Sequence, residues 1–185
     1  MIGVLPESLC VCGRQLPINA DFRNILTIFA AFSDEALTQE EKAYVCLRRL
    51  YKVPIPVNIA SEAIKQAYWF LDGGDTPKSK PEEVRILDWE HDESLIMPAV
   101  SKTIGVVDVR SLSYLHWWSF LGAFGEIGEG LFSQVVHIRH KLGKGEQLSK
   151  YEKEFVRKND ELVVLRTAEE KAEIEETERI LAEFI

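Results

Sequence analysis

Ser111-Leu-Ser-Tyr-Leu-His-Trp-Trp-Ser-Phe-Leu-Gly-Ala-Phe124 is the stretch on which the fold turns. On a helix its apolar residues, from Tyr114 to Phe124, cover nearly the whole circumference, the pattern of a helix buried on all sides. The spacing therefore predicts a central buried helix over Ser111–Phe124, with the other elements packed around it. Adjacent Trp117 and Trp118 would point about 100° apart, so one can enter the core while the other faces a groove. Trp is enriched at interface hot spots, which makes both residues candidates for binding a partner. His116 would donate a hydrogen bond at the edge.

Working outward, most of the chain reads as helical. Phe22, Ile25, Leu26, Phe29 and Phe32 recur at helical spacing and predict a helix over Ala20–Phe32, capped by Asn19 or Asp21. Thr38-Gln-Glu-Glu41 is a capping box opening a second helix, which Pro54 and Pro56 end. Asn58 is expected to cap a third, stopped by Gly73 and Gly74. Gly73 to Glu83 reads as a loop, and Asp88 as the cap of a fourth helix containing Pro98 and ending at Gly105. A bend over Gly125–Gly130 precedes a short sixth helix carrying Val135, Val136 and Ile138, and Lys141–Glu146 is another loop. From Ser149 the pattern is helical to the end, with a break near Arg166-Thr167. Only Ser8–Cys12 and Gln15–Ile18 read as extended, a small hairpin turning at Gly13-Arg14. The fold class is mainly α: a helical bundle with a small N-terminal β-hairpin and a long C-terminal helical extension. The expected division is a domain over 1–166 and an acidic extension over 167–185.

Composition sets limits on function. The chain has 185 residues, 46% of them apolar, with 22 Lys plus Arg against 30 Asp plus Glu, a formal charge of -8. That is too apolar for a disordered chain, and too acidic for a protein whose main task is gripping nucleic-acid phosphates. No apolar stretch approaches the roughly 18 residues that span a bilayer, and the N-terminus lacks the basic flank and apolar core of a secretory signal. Three cysteines without such a signal point to reduced thiols and a cytoplasmic location. Residues 167–185 hold seven acidic and two basic side chains, so 2 − 7 = −5 of the charge sits there. Ile174, Thr177, Leu181 and Phe184 follow a 3-4-3 spacing, an apolar seam on an acidic helix, and Ile174, Leu181 and Phe184 join the candidate partner-binding residues.

Catalytic, cofactor and metal signals are weak. His137 and His140 lie three apart, but Arg139 stands between them and no supporting ligand follows at a metal spacing. Asp88, Glu90 and Asp92 alternate like the start of a calcium loop, yet Glu93 occupies its glycine position and Ala99 its final acidic one. Cys10 and Cys12 lack a second ligand pair, and Cys46 sits mid-helix without a nearby base. No phosphate loop, dinucleotide fingerprint, nucleophile elbow or zinc-protease motif occurs. The expectation is no enzyme, cofactor or metal.

Several segments in order carry a resemblance. They are Pro17-Ile-Asn-Ala-Asp-Phe-Arg23, the Thr38 capping-box helix, Ala67-Tyr-Trp-Phe-Leu-Asp-Gly-Gly74, Ile86-Leu-Asp-Trp-Glu-His-Asp92 and Leu112-Ser-Tyr-Leu-His-Trp-Trp-Ser-Phe120. Together, over about Leu9 to Phe155, they resemble the bacteriophage gene-product-fifteen family of tailed phages and prophages. The resemblance implies a protein encoded beside the tape-measure gene, acting as a tail-assembly chaperone in the host cytoplasm. It implies a protein partner, the tape-measure or another tail protein; self-association into a homo-oligomer is a separate possibility and does not come from the resemblance. A structural tail component, or an enzyme with an unrecognised site, stand as alternatives. No catalytic residues carry over, and the acidic end beyond Arg166 departs from the family pattern.

Overall fold

Nine residues before the first helix, the chain completes a reversal on itself. Ser8–Val11 (β1) pairs antiparallel with Arg14–Pro17 (β2), Val11 opposite Arg14. The turn residues are Cys12 and Gly13, both left-handed at φ 47° and 77°, the two-residue turn whose twist matches the flanking strands. The reversal thus lies one residue earlier than the expected Gly13-Arg14. Leu9 and Val11 enter the core, while Cys10 and Cys12 stay exposed.

The computed structural model describes residues 3–74 and 85–166, together with Glu170 and Arg179. Among these it is a mainly α fold with the small hairpin at its start: α1 (Phe22–Ser33), α2 (Gln39–Leu50), α3 (Ala60–Leu71), α4 (Glu93–Ile104), α5 (Trp117–Gly125), α6 (Leu131–Gly143), α7 (Lys150–Lys158) and α8 (Asp160–Val163). Most of the expected loop over Gly73–Glu83 and nearly all of the acidic extension lie outside the described residues.

Local chemistry sets the helix ends. Asp21 caps α1, accepting from the Arg23 amide. Thr38 and Glu41 exchange hydrogen bonds as a capping box on α2, and Ser149 with Glu152 on α7. Gly73 and Gly105 close α3 and α4 with positive φ, which L side chains adopt only at a cost.

Several starts and stops differ from expectation. Asn58 does not cap α3; it sits inside a 3₁₀ turn, Val57–Ile59, that leads straight into the helix. Asp88 caps only the turn before α4, accepting from the Glu90 and His91 amides, and the helix begins after Asp92. Pro98 stays inside α4, on its exposed side, where water can serve the Ser94 carbonyl it leaves unpaired. The central helix starts at Trp117, six residues late. Val109–Ser111 forms a 3₁₀ turn, and the chain then runs extended beside α1, with Phe22 N–H donating to Leu115 C=O and Trp117 N–H to Ala20 C=O. α6 continues through Gly143, so the loop expected from Lys141 begins later. The C-terminal helical stretch breaks at Asn159 and again after Val163, earlier than Arg166.

The core joins both halves of the sequence. Phe22, Ile25 and Ile28 from α1, Leu50 from α2, Phe70 from α3, Ile96 and Val100 from α4, and Trp117 and Phe120 from α5 are all fully buried. Phe22 stacks on Phe120, centroids 4.7 Å apart and planes within 6°. The Pro-Ile-Asn-Ala-Asp-Phe-Arg and Leu-His-Trp-Trp-Ser-Phe segments therefore meet at the centre. Arg23 completes the joint, bonding Asp21 and the Leu112 and Ser113 carbonyls.

α6 and α8 form a peripheral layer, where Val135, Ile138 and Val163 are buried apart from the main core. One ion pair ties it to α4. Arg139 grips Asp92 at 2.7 and 2.8 Å, and its other donors reach the Ile86, Leu162 and Val163 carbonyls. All five guanidinium N–H groups are thereby satisfied.

Candidate partner-binding site

The two tryptophans divide their work according to the 100° between them. Trp117 is fully buried against Phe29, Trp89 and Phe120, and its indole N–H donates to Leu71 C=O at 2.9 Å. In this fold it presents no surface to a partner. Trp118 turns outward. Its indole N–H donates to Phe70 C=O at 2.9 Å, its ring lies near-parallel to Phe70 at 5.8 Å, and Trp69 meets it edge-on at 5.5 Å. Consecutive tryptophans thus satisfy consecutive carbonyls at the C-terminal end of α3, where helix carbonyls lack intrahelical partners.

His116 positions this pair. Its Nδ1 accepts from the Trp118 amide and so caps α5, which places the ring proton on Nε2; that N–H donates to Pro6 C=O at 3.0 Å. The expected hydrogen bond at the helix edge is there, and the cap is an addition to it. The bond draws the N-terminal residues alongside Trp118. Val4 is 57% exposed, Leu5 43% and Trp69 39%, and with Gly73 and Gly74 they line a groove of about 760 Å³. Gly74 matters twice. Its φ is 87°, and a Cβ there would stand 2.7 Å from Trp118 Cη2. Only glycine lets the chain turn beneath the ring. Glu7 supplies the groove's carboxylate, and Ser8 and Gln15 its hydroxyl and amide. The arrangement can receive an apolar or aromatic side chain flanked by backbone. Among the described residues its lining holds no nucleophile–base pair.

A second groove, of about 510 Å³, runs between α4 and the start of α6, with Leu95, Pro98, Ile127, Leu131 and Phe132 in its wall. Its lining is mainly apolar, whereas polar and apolar surface are nearly balanced in the Trp69–Trp118 groove.

The other candidates resolve individually. Ile174, Leu181 and Phe184 lie outside the described residues. His137 is exposed, 3.7 Å from Glu152, whose carboxylate is already held by Lys141 at 2.7 Å. The Lys141 ammonium, with the Ser149 cap, holds that carboxyl down to about 2. Asp88 pairs with Arg85; burial pushes its carboxyl up, but the His91 amide, Arg85 and the Glu90 amide together hold it below the usual range. Asp92 is committed to Arg139. Among the described residues no three His, Cys, Asp or Glu side chains are grouped to hold a metal. Burial raises the Cys46 thiol to about 12, so it carries no thiolate at neutral pH.

Sequence reasoning missed Trp69, Val4 and Leu5 as groove residues. Trp69 was visible as an exposed position on the α3 pattern, but Val4 and Leu5 carried no signal before the His116 bond placed them.

Residues 1–165 match a family model described as Bacteriophage Gp15 protein. No curated protein and no solved structure matches the chain.

Proposed function

The chain belongs to the bacteriophage Gp15 protein family, and from that premise we propose that it is a non-catalytic tail-assembly chaperone that binds the tape-measure protein in the host cytoplasm. The observation that carries the reading is the exposed Trp69–Trp118 groove. A tape-measure protein is a long, helical client that must be kept soluble before the tube forms around it. A chaperone for it needs an apolar surface with aromatic anchors on an otherwise charged body. Trp69, Trp118, Val4 and Leu5 provide such a surface on a rigid support, since the Trp117 and Trp118 indoles are both hydrogen-bonded to the end of α3.

The test is co-expression of the full chain with the neighbouring tape-measure protein. The expected result is a soluble tape-measure protein that co-purifies with the chain, and loss of both effects in Trp69→Ala while the fold is kept. A tape-measure protein that stays insoluble and unbound would overturn the proposal. Mass spectrometry of purified particles separates a chaperone, absent from the finished tail, from a structural component that remains.

A further inference from the structure

One edge of the hairpin is open. The phase of the β1–β2 ladder is set by Ile18 N–H, which donates to Glu7 C=O at 3.0 Å. Hydrogen-bonded and non-hydrogen-bonded positions alternate in an antiparallel pair, so Glu7, Leu9 and Val11 turn their backbone groups toward β2. Ser8 and Cys10 turn theirs away. Pro17, opposite Ser8, fits this phase because it has no N–H to give. The N–H and C=O groups of Ser8 and Cys10 make no hydrogen bond among the described residues. The outer edge of β2 is largely used: Pro17 C=O accepts from Lys52 N–H at 2.9 Å, and Ile18 bridges Tyr51. Apart from its shortness, β1 has none of the features that blunt an edge, with no Lys, no Pro and no bulge in its pairing.

This open edge borders the Trp69–Trp118 groove. Pro6 has the same phase as Ser8 and Cys10, and its outward C=O is the group to which His116 Nε2 donates. The side of β1 away from β2 is therefore the side of His116 and Trp118. The segment from Val4 to Ser8 lines the groove together with Trp69, Trp118 and Gly74. Glu7 is the one ionised side chain among the described lining residues, and it makes no ion pair. Unpaired strand groups, an aromatic recess and a lone carboxylate thus lie side by side.

We infer that an extended peptide of a partner adds to the outer edge of β1 as a third strand, with a large apolar side chain against Trp69 and Trp118 and a basic one toward Glu7. Donors and acceptors repeating two residues apart, about 7 Å along a strand, are met together by the backbone of another strand and not by a helix, whose own backbone is already paired. In strand addition the main-chain hydrogen bonds supply affinity whatever the sequence, and the pockets for alternate side chains supply preference. The basic residue follows from charge, since Glu7 is the groove's unneutralised group. The inference deepens the functional reading, because it rests on the same groove and states the form in which a partner enters it.

The probe is the peptide Lys-Thr-Leu-Val-Phe-Thr-Lys, capped at both ends and titrated into the full chain to about 1 mM while amide signals are followed by NMR. Binding should slow exchange of the Ser8 and Cys10 amides by about tenfold or more at saturation, with the amides of α6 unaffected. Two further peptides carry N-methyl groups on alternate residues. One set should weaken binding by about tenfold or more, because it blocks the paired edge, and the other set should leave it within about twofold. Cys10→Pro should also abolish binding, since its N–H is not used within the hairpin and circular dichroism should stay that of the parent. Trp69→Ala should weaken binding by about tenfold. No binding at 1 mM, equal binding by the two methylated peptides, or unchanged affinity in either variant overturns the inference. The methylated pair needs no variant to fold. The probe contains no tape-measure sequence, so its failure removes strand addition alone, and the tape-measure reading keeps its own test in co-expression.

Discussion

Arg139→Met should be among the most damaging single substitutions in this protein, and its rescue should come from removing a second charge. Arg139 and Asp92 side chains are 4% and 1% exposed, and the guanidinium makes two bonds to the carboxylate and three to backbone carbonyls. Methionine keeps most of the stem volume but leaves Asp92 ionised and buried without a counter-charge. Breaking a buried pair by deleting one partner costs about 3–5 kcal/mol. Each carbonyl left dry adds about 1–3 kcal/mol, though Leu162 and Val163 can regain water by fraying of the four-residue α8. A cost of about 4 kcal/mol is a large share of a typical stability of about 5–15 kcal/mol. Urea unfolding followed by Trp fluorescence and far-ultraviolet circular dichroism measures it. Asp92→Asn supplies the decisive comparison. With Arg139 present it should destabilise, because it removes the charge that Arg139 neutralises. In the Arg139→Met background it should stabilise, because it removes an orphaned buried charge. A cost below about 1 kcal/mol for Arg139→Met, or the same sign for Asp92→Asn in both backgrounds, would refute the reasoning.

Three further outcomes are expected. Gly74→Ala should destabilise by about 1–2 kcal/mol for the left-handed backbone alone, and more for the contact with Trp118; thermal unfolding and a shifted Trp emission check it. Glu152→Gln should lower Tm at neutral pH, and the difference should close as the solution is acidified. The carboxyl sits at about 2 in the folded protein against about 4.3 unfolded, so its contribution is complete above that unfolded value and is lost as pH falls toward 2. Cys10 and Cys12 should react with a thiol reagent in the native protein, while Cys46 reacts only after denaturant is added; fast labelling of all three would contradict its burial.

Much of the secondary structure was legible because its causes are local. Thr38 and Glu41 are three residues apart, and so are Ser149 and Glu152. Hydrophobic spacing with cap, proline and glycine signals located α1, α2 and α3 to within a few residues. Where expectation slipped, a competing local option was available. Asp88 and Asp92 are both good caps, and Asp88 caps a turn because Asp92 has Arg139 to face, 47 residues on. The expected long central helix loses its first six residues because Leu112–Leu115 lies against α1, bonded by Arg23 and by the Phe22 amide.

The sequence by itself determined the class of the fold, the hairpin, the capping box of α2 and the central place of the double tryptophan. These rest on period, propensity and hydrogen bonds that close within a turn. Only the tertiary structure decided which tryptophan is core and which is surface. That depends on where the last carbonyls of α3 lie, 46 and 48 residues earlier, and on the His116 bond that reaches back 110 residues to Pro6. The groove at Trp69 and Trp118 exists because distant segments converge on one helix end, and hydrophobic periodicity carries no information about distances of that length.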